Sequence, residues 1–388
     1  MKKMSVEHIT HGQASIECSL FSQGTDVTEC FAMIHVSDAT LTFEQQLESV
    51  RAAYFFLLRH QLPGSNCVFR RYFLSDASNQ SSVLMATEIE DPIGEVSVIQ
   101  QPPLDGTKVA LWAYIMTNVK VQALANGLTE VSHGAYRHLW NASMYRHEAN
   151  SEYQTRIILN DFIMQLIEAG CSMERNCIRT WFFVNEVDNN YAGMVKARNE
   201  VFLVQGMNPR THYVASTGIG GRQANPDITV QMDAYAVDGL QPAQVHHLYA
   251  PTHLSRSSVY GSAFERGTCV DYGDRRHVFI SGTASIGPDG QILYAGDVER
   301  QTMRVLENVE TLLAEAGVTF DDVPYMIVYL RDMADYALVR QIFRQRFGGK
   351  PCVFVHACQC RPHWLVEMEC MAVKAVSNPS SRRFELKT

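Results

Sequence analysis

Two distant stretches of this chain carry the same signature, and that repetition constrains the fold more than any other feature. Gln154-Thr155-Arg156-Ile157-Ile158-Leu159 leads to Ala169-Gly170, and Gln301-Thr302-Met303-Arg304-Val305-Leu306 leads to Ala316-Gly317, with identical intervals from Gln to Leu and from Leu to Gly. In the later copy Leu306, Val309, Leu312 and Leu313 recur at helical spacing and Gly317 is a stop signal. An apolar strand follows each copy, Ile178–Val184 in one and Tyr325–Leu330 in the other. A weaker third copy runs from Gln46 through Phe55-Phe56-Leu57-Leu58 to Pro63-Gly64 and then Val68–Leu74. Two more strands close each unit: 95–99 with 108–114, 212–216 with 227–236, and 353–357 with 365–373. Each unit therefore reads hairpin, helix, strand, helix, strand, strand, an α+β class with helices on one face of a mixed sheet. The predicted boundaries lie near residues 125 and 245, where apolar periodicity lapses, giving units 1–125, 126–245 and 246–388.

Composition agrees with three packed units. The 388 residues are 46% apolar, enough for large cores and too many for a disordered chain. A net charge of -8 argues against nucleic acid or an anionic membrane as partner. The basic set is 25 Arg against 8 Lys, a bias that suits carboxylate recognition but also follows from genome composition. Met1–His8 lacks the apolar stretch of a secretory leader, and no apolar run approaches the ~18 residues of a membrane span. Ten cysteines without a Cys-x-x-Cys read as reduced thiols of a cytoplasmic protein.

No Gly-x-Ser-x-Gly, phosphate-binding loop or His-Glu-x-x-His occurs, which argues against serine hydrolases, P-loop enzymes and zincins. Glu367 and Glu369 stand two apart on a strand, so both project from one face. If that face is buried, mutual repulsion and desolvation raise at least one pKa and make a proton donor; if the strand end is solvated, both simply face water. Guanidinium candidates for a carboxylate ligand are Arg156, Arg198, Arg256 and Arg361, although Arg198, among Val195, Val201 and Phe202, also reads as a helix-surface charge. Two segments, Thr217-Gly218-Ile219-Gly220-Gly221 and Ser281-Gly282-Thr283-Ala284-Ser285, read as loops after strands that let a ligand approach the backbone, or as tight bulges. His356, Cys358 and Cys360 alternate along one strand face with His363 following, but structural zinc needs a further ligand pair that the chain does not offer, and no metal is expected.

The third unit resembles the RidA/YjgF family. The resemblance rests on Val278-Phe279-Ile280-Ser281-Gly282-Thr283, Gly296-Asp297-Val298, Gln301-Thr302, Asn308, Gly317, Tyr329-Leu330-Arg331-Asp332 and Val366-Glu367-Met368-Glu369-Cys370-Met371-Ala372. It implies chorismate-mutase-like units that trimerise through their sheets with pockets between them, here as a covalent pseudotrimer and hence a monomer. Deaminases of that family carry an Arg just after the Pro that opens the second-last strand. Here Val353 occupies that place, and the second unit offers Ser216, which counts against imine deamination.

A longer resemblance, over most of 130–376, is to the chorismatases of secondary metabolism, single chains of tandem RidA-like domains. It is carried by His138-Leu139-Trp140-Asn141, Tyr153, Arg156, Arg198-Asn199-Glu200-Val201-Phe202, Ala215–Gly221, Ile280–Ile286 and Cys360-Arg361-Pro362-His363-Trp364-Leu365-Val366-Glu367. It implies a cofactor-free enzyme acting on a small carboxylate substrate: cleavage of the enolpyruvyl ether of chorismate, pyruvate release, and a pocket between units two and three. Glu367 would be the general acid, and Cys360, seven residues before it as in the 3-hydroxybenzoate-forming members, would steer the ring product. A buried inert thiol is the plainer reading of Cys360. Binding would fall to the four arginines with Thr217, Gly218, Gly220, Ser281, Gly282, Thr283, Ala284 and Tyr260. The alternatives are an enamine/imine deaminase and a non-catalytic metabolite binder, the latter favoured if Trp364 or Tyr260 fills the pocket.

Overall fold

The computed structural model describes residues 4–23, 27–89 and 93–384; Met1, Lys2 and Lys3, at the head of the segment read for a leader, lie outside them. The first unit runs β1 (Ser5–His11), β2 (Ala14–Phe21), β3 (Glu29–Val36), α1 (Phe43–Phe56), β4 (Ser65–Leu74), α2 (Ala77–Glu88), β5 (Glu95–Gln100) and β6 (Val109–Thr117). The second runs β7 (Lys120–Ala123), β8 (Thr129–His133), β9 (Tyr136–Tyr145), α3 (Ser151–Glu168), the single turn α4 (Met173–Asn176), β10 (Cys177–Val184), α5 (Val187–Val204), β11 (Ala215–Gly220) and β12 (Val230–Asp238). The third runs β13 (Val245–Leu248), β14 (Gly267–Asp271), β15 (Arg275–Ala284), α6 (Val298–Glu315), β16 (Tyr325–Leu330), α7 (Tyr336–Phe347), β17 (Cys352–His356) and β18 (Val366–Ala375). Each unit is one six-stranded mixed sheet: β1-β2-β3-β6-β4-β5, β11-β10-β12-β9-β8-β7 and β13-β14-β15-β18-β16-β17. The α+β class in three tandem units is as the repeat predicts.

The structure explains the repeated glutamine. Gln46, Gln154 and Gln301 are fully buried near the starts of α1, α3 and α6. Each donates its side-chain amide to two backbone carbonyls: Ala39 and Leu41, Glu148 and Asp227, Tyr294 and His363. Each also accepts from the backbone N–H of Lys108, Thr229 or Leu365, at or near the start of its unit's last strand. One side chain thus ties helix to strand without an unpaired buried polar atom.

Two differences from the sequence reading stand out. Each unit opens with three strands, not a hairpin, because β1, β7 and β13 are polar edge strands lacking apolar alternation. The run 215–220 is strand β11, paired in parallel with β10, and not a loop. Ser281 and Gly282 lie inside β15 at a register shift between Ile280 and Thr283 against β18, which fits the tight bulge offered as the alternative for that segment. Residue 220 in β11 must be glycine, because a β-carbon there would meet the Cys358 backbone at 2.8 Å.

The helices lie outside, each pair covering one face of its own sheet. The other three faces share one aromatic core that includes Phe69, Trp112, Trp140, Trp181, Tyr235, Phe279 and Tyr329. Into it project charged groups from all three units. Arg71 (β4) donates to Asp233 (β12) at 2.7 Å, and Arg179 (β10) donates to Glu369 (β18) at 2.8 Å. The Arg71 guanidinium also stacks 4.8 and 5.0 Å from the rings of Phe183 and Trp181.

Candidate active site

Strand β18 places two carboxyls on the face that meets the second unit. Glu369 is opposite Ile327 and Glu367 opposite Tyr329. Glu369 is fully engaged: Arg179 and the Trp181 indole each donate to it at 2.8 Å, and the Thr217 hydroxyl donates as well. Glu367, 4% exposed, has no cation of that kind bound to it. Burial, reinforced by the Glu369 charge, pushes its pKa up to about 8, with Arg266 and Arg179 offsetting only part. It is therefore a protonated acid at neutral pH. Its carboxyl lies over Gly282, where a β-carbon would fall 2.0 Å from Oε1. That contact, and not a loop conformation, is what requires glycine there.

A narrow cavity of about 30 Å³ opens in front of this carboxyl, between the second and third units, which is room for roughly two waters. The second unit supplies Tyr191 and Arg198 from α5 and Ser216 and Gly218 from β11. The third supplies Arg266, Gly282, Ala284, Ile286, Cys360 and Trp364. Tyr260 and Phe264 close it from the strap joining β13 and β14. Arg198 is 1% exposed, hydrogen-bonds the Ser262 hydroxyl at 2.6 Å, and keeps a buried Nε with no partner. Arg266, 3% exposed, donates from Nε and Nη2 to the Ser255 carbonyl at 3.0 and 2.9 Å. Burial and the nearby Glu367 push the Cys360 thiol up to about 12, so it is a neutral thiol, not a thiolate nucleophile.

The structure sorts the sequence candidates clearly. Glu367, Cys360, Arg198, Gly218, Gly282, Ala284 and Tyr260 converge on the cavity. Arg361 stands behind its wall, its guanidinium 4.7 Å from the Tyr260 ring and 5.0 Å from Trp364. Arg156 lies on the outside of α3, bonded to Glu152 and Glu200. Arg256 stacks over Tyr249 at 4.2 Å, away from the cavity. Thr217, Ser281 and Thr283 build the junction: Gly282 N–H donates to Thr217 Oγ1 at 2.8 Å, Ser216 N–H donates to Ser281 Oγ at 2.9 Å, and the Thr283 hydroxyl donates to the Ser281 carbonyl at 2.8 Å. Gly220 pairs with Cys358 outside the cavity. Among the described residues no three His, Cys, Asp or Glu side chains are placed to hold a metal ion, and His356 Nε2 is 3.1 Å from the Arg331 carbonyl. Sequence reasoning missed Arg266, Tyr191, Phe264 and Ile286. A signal existed for Tyr191, which precedes Arg198 by seven residues and so shares its helix face.

The register also shows what the other two units place at the acid's position. Tyr329 pairs with Glu367, Phe183 with Gln231 and Phe73 with Ala110. One of the three equivalent sites thus carries an acid. By the same pairing Thr217, not Ser216, shares the register of Val353.

The family described as Endoribonuclease L-PSP matches residues 269–374, most of the third unit. A RutC family protein of Pyrococcus abyssi is 36% identical over 99 residues, 25% of this chain and 78% of that protein. Another, from Pyrococcus horikoshii, is 36% identical over 99 residues, 25% of this chain and 79% of its own. The chain belongs to the RidA/YjgF superfamily. Likeness of fold reaches beyond the third unit. A crystal structure of a chorismatase matches with a TM-score of 0.62 over 79% of this chain and 93% of that one, at 18% identity.

Proposed function

We propose that the cavity between the second and third units is the active site of a cofactor-free enzyme that cleaves the enolpyruvyl ether of chorismate and releases pyruvate. The observation that carries this reading is the Glu367 carboxyl, buried, protonated at neutral pH and facing a cavity lined by Arg198, whose guanidinium keeps one buried nitrogen without a partner. Ether cleavage needs a proton delivered to the enolpyruvyl methylene, and a neutral carboxylic acid with a pKa near the working pH is suited to supply it. The cation that develops on the ether carbon is then stabilised by the Glu367 carboxylate left behind. Water addition at that carbon and loss of the ring alcohol give pyruvate and a dihydroxycyclohexadiene carboxylate, consuming one water. With loss of water from the ring the products are pyruvate and 3-hydroxybenzoate, with no net water. The neutral Cys360 thiol lines the cavity beside the acid, and we assign 3-hydroxybenzoate as the favoured product. Arg198 and Arg266 are the carboxylate anchors, and their places on separate units make the site depend on the tandem arrangement.

The cavity's volume sets a condition. Chorismate enters only if Tyr260 and its strap swing outward, since about 30 Å³ holds no ring. The strap is held by polar bonds suited to such a motion, Asn199 to the Gly261 carbonyl at 2.7 Å and the Ala263 N–H to Asn199 at 3.0 Å. The same narrowness favours a second reading, a metabolite binder whose pocket Tyr260 and Trp364 fill. Incubating the protein with chorismate and identifying products by mass separates the two. Pyruvate with 3-hydroxybenzoate supports the enzyme, and Cys360→Ala should then shift the ratio towards the dihydroxy acid. Unchanged chorismate would leave the binder standing, and ammonia from a 2-aminoacrylate source would instead indicate a deaminase.

A further inference from the structure

A second cleft, between the third and first units, occupies the position equivalent to the cavity at Glu367. Val353 lies opposite Ile327 as Thr217 lies opposite Trp181, and His35 lies opposite Ala110 as Ala284 lies opposite Glu367. The acid is replaced by Ala110, so the cleft cannot deliver a proton from that place. It is nevertheless the roomier of the two, about 550 Å³.

Its walls are chemically distinct. One is aromatic: Phe343 lies 5.4 Å from Phe354 and 5.6 Å from Phe347 between ring centroids. Facing it is His35, whose side chain is 17% exposed and whose buried Nε2, without a hydrogen bond, lies 4.0 Å from Glu17 Oε2. His35 Nδ1 lies 3.6 Å from Asp105, and Glu17 accepts from the Cys352 N–H at 3.2 Å, so the acidic groups of the cleft are already occupied. Burial, which alone would lower the His35 pKa, is outweighed by Asp105 and Glu17, which raise it, with Arg340 opposing them in part. Arg340 and Arg344, one turn apart on α7, line the mouth and form no ion pair among the described residues. Cations without an ion pair, engaged anions and a partly open aromatic wall together select an anion on an apolar ring.

We propose that this cleft is a second, non-catalytic binding site for a small ring-bearing carboxylate. Arg340 and Arg344 hold the carboxylate, and the wall of Phe343, Phe347 and Phe354 packs the ring beside His35. The proposal rests on these residues and is independent of any chemistry at Glu367.

The test uses the full chain and two probes, 3-hydroxybenzoate in calorimetric titration and 4-bromobenzoate soaked into crystals. Expected are saturable binding, at least tenfold weaker in the Arg340→Ala/Arg344→Ala variant, and an anomalous bromine peak between Phe343 and His35. A peak there supports the site whether or not a second one stands beside Glu367. A bromine peak beside Glu367 alone, no peak at all, or titration unchanged in the double variant would overturn the proposal. Because both arginines are exposed, the variant is expected to keep the wild-type unfolding midpoint, and that midpoint is recorded with each titration.

Discussion

Replacing Glu367 with glutamine should make the protein more stable while removing its activity, and the gain should depend on pH in a fixed way. The folded carboxyl has a pKa of about 8 against an ordinary 4.5. Below pH 4.5 it is protonated in both folded and unfolded chains, and ionisation favours neither. Between pH 4.5 and 8 only the unfolded chain gives up the proton, so wild-type stability falls as pH rises. At about 1.36 kcal/mol per pH unit, the loss is under ~1 kcal/mol at pH 5, about 3 at pH 7 and about 5 at pH 9. Glutamine has the same shape and does not titrate, so Glu367→Gln escapes this loss. Any constant offset from its amide, of order 1 kcal/mol, cancels when pH values are compared. A glutamine is already tolerated at the equivalent place, where Gln231 donates to the Val98 carbonyl at 3.1 Å. Denaturant unfolding of both proteins at pH 5, 7 and 9 is the assay. Curves separated by the same amount at every pH would mean that the folded carboxyl titrates normally, and the acid proposed for the reaction would be lost with it.

Three further outcomes follow from the same geometry. Pyruvate release should be level up to about pH 8 and fall roughly tenfold per unit above it, as the folded Glu367 ionises; a rate that rises through that range would assign the carboxylate, not the acid, to the working form. Gly282→Ala puts a β-carbon 2.0 Å from Glu367 Oε1 and should displace the carboxyl, cutting activity at least a hundredfold for an overpacking cost of about 1–3 kcal/mol in denaturant unfolding. Glu369→Leu strands Arg179 among aromatic rings and should cost about 3–5 kcal/mol, much of it recovered in Arg179→Met/Glu369→Leu; a double variant no more stable than the single one would show that the pair is not what holds that part of the core.

What was legible in the sequence was what repetition and periodicity encode. The buried glutamines at 46, 154 and 301 and the apolar stripe of α6 recur because each unit solves the same packing problem, and three solutions in one chain reveal the fold. Glu367 and Glu369 share a face, as period two requires, but spacing could not say which of them would find a cation. That depends on Arg179, which stands 190 positions away in the sequence. Arg266 was invisible for a related reason: it sits just before a strand, with nothing in its own segment to mark it, and reaches the cavity only because the strap doubles back over it. Arg156 showed the opposite error, since a helix arginine beside an attractive motif turns out to pair with Glu152 and Glu200 on the outer surface. Strands β1, β7 and β13 escaped because an edge strand facing water has no apolar alternation to detect.

Joining the units in one chain lets each interface diverge, and the charged groups of the core show how far that has gone. Three copies of the third unit would set every Glu369 against a neighbour's Ile327 and Tyr325, which hold the register places of Arg71 and Arg179. In this chain the second unit offers Arg179 to Glu369, and the first offers Arg71 to the second unit's Asp233. Ion pairs that far from water are costly to break and so fix which face meets which. The order of the units is thus written into the core, and it is this fixed order that brings Arg198 of the second unit, and not its counterpart from another, against Glu367 of the third. The same divergence leaves Ala110 and Gln231 at the other two acid positions. With no acid to preserve there, one of those interfaces is free to close over Gln231, and the other to open into the cleft beside His35.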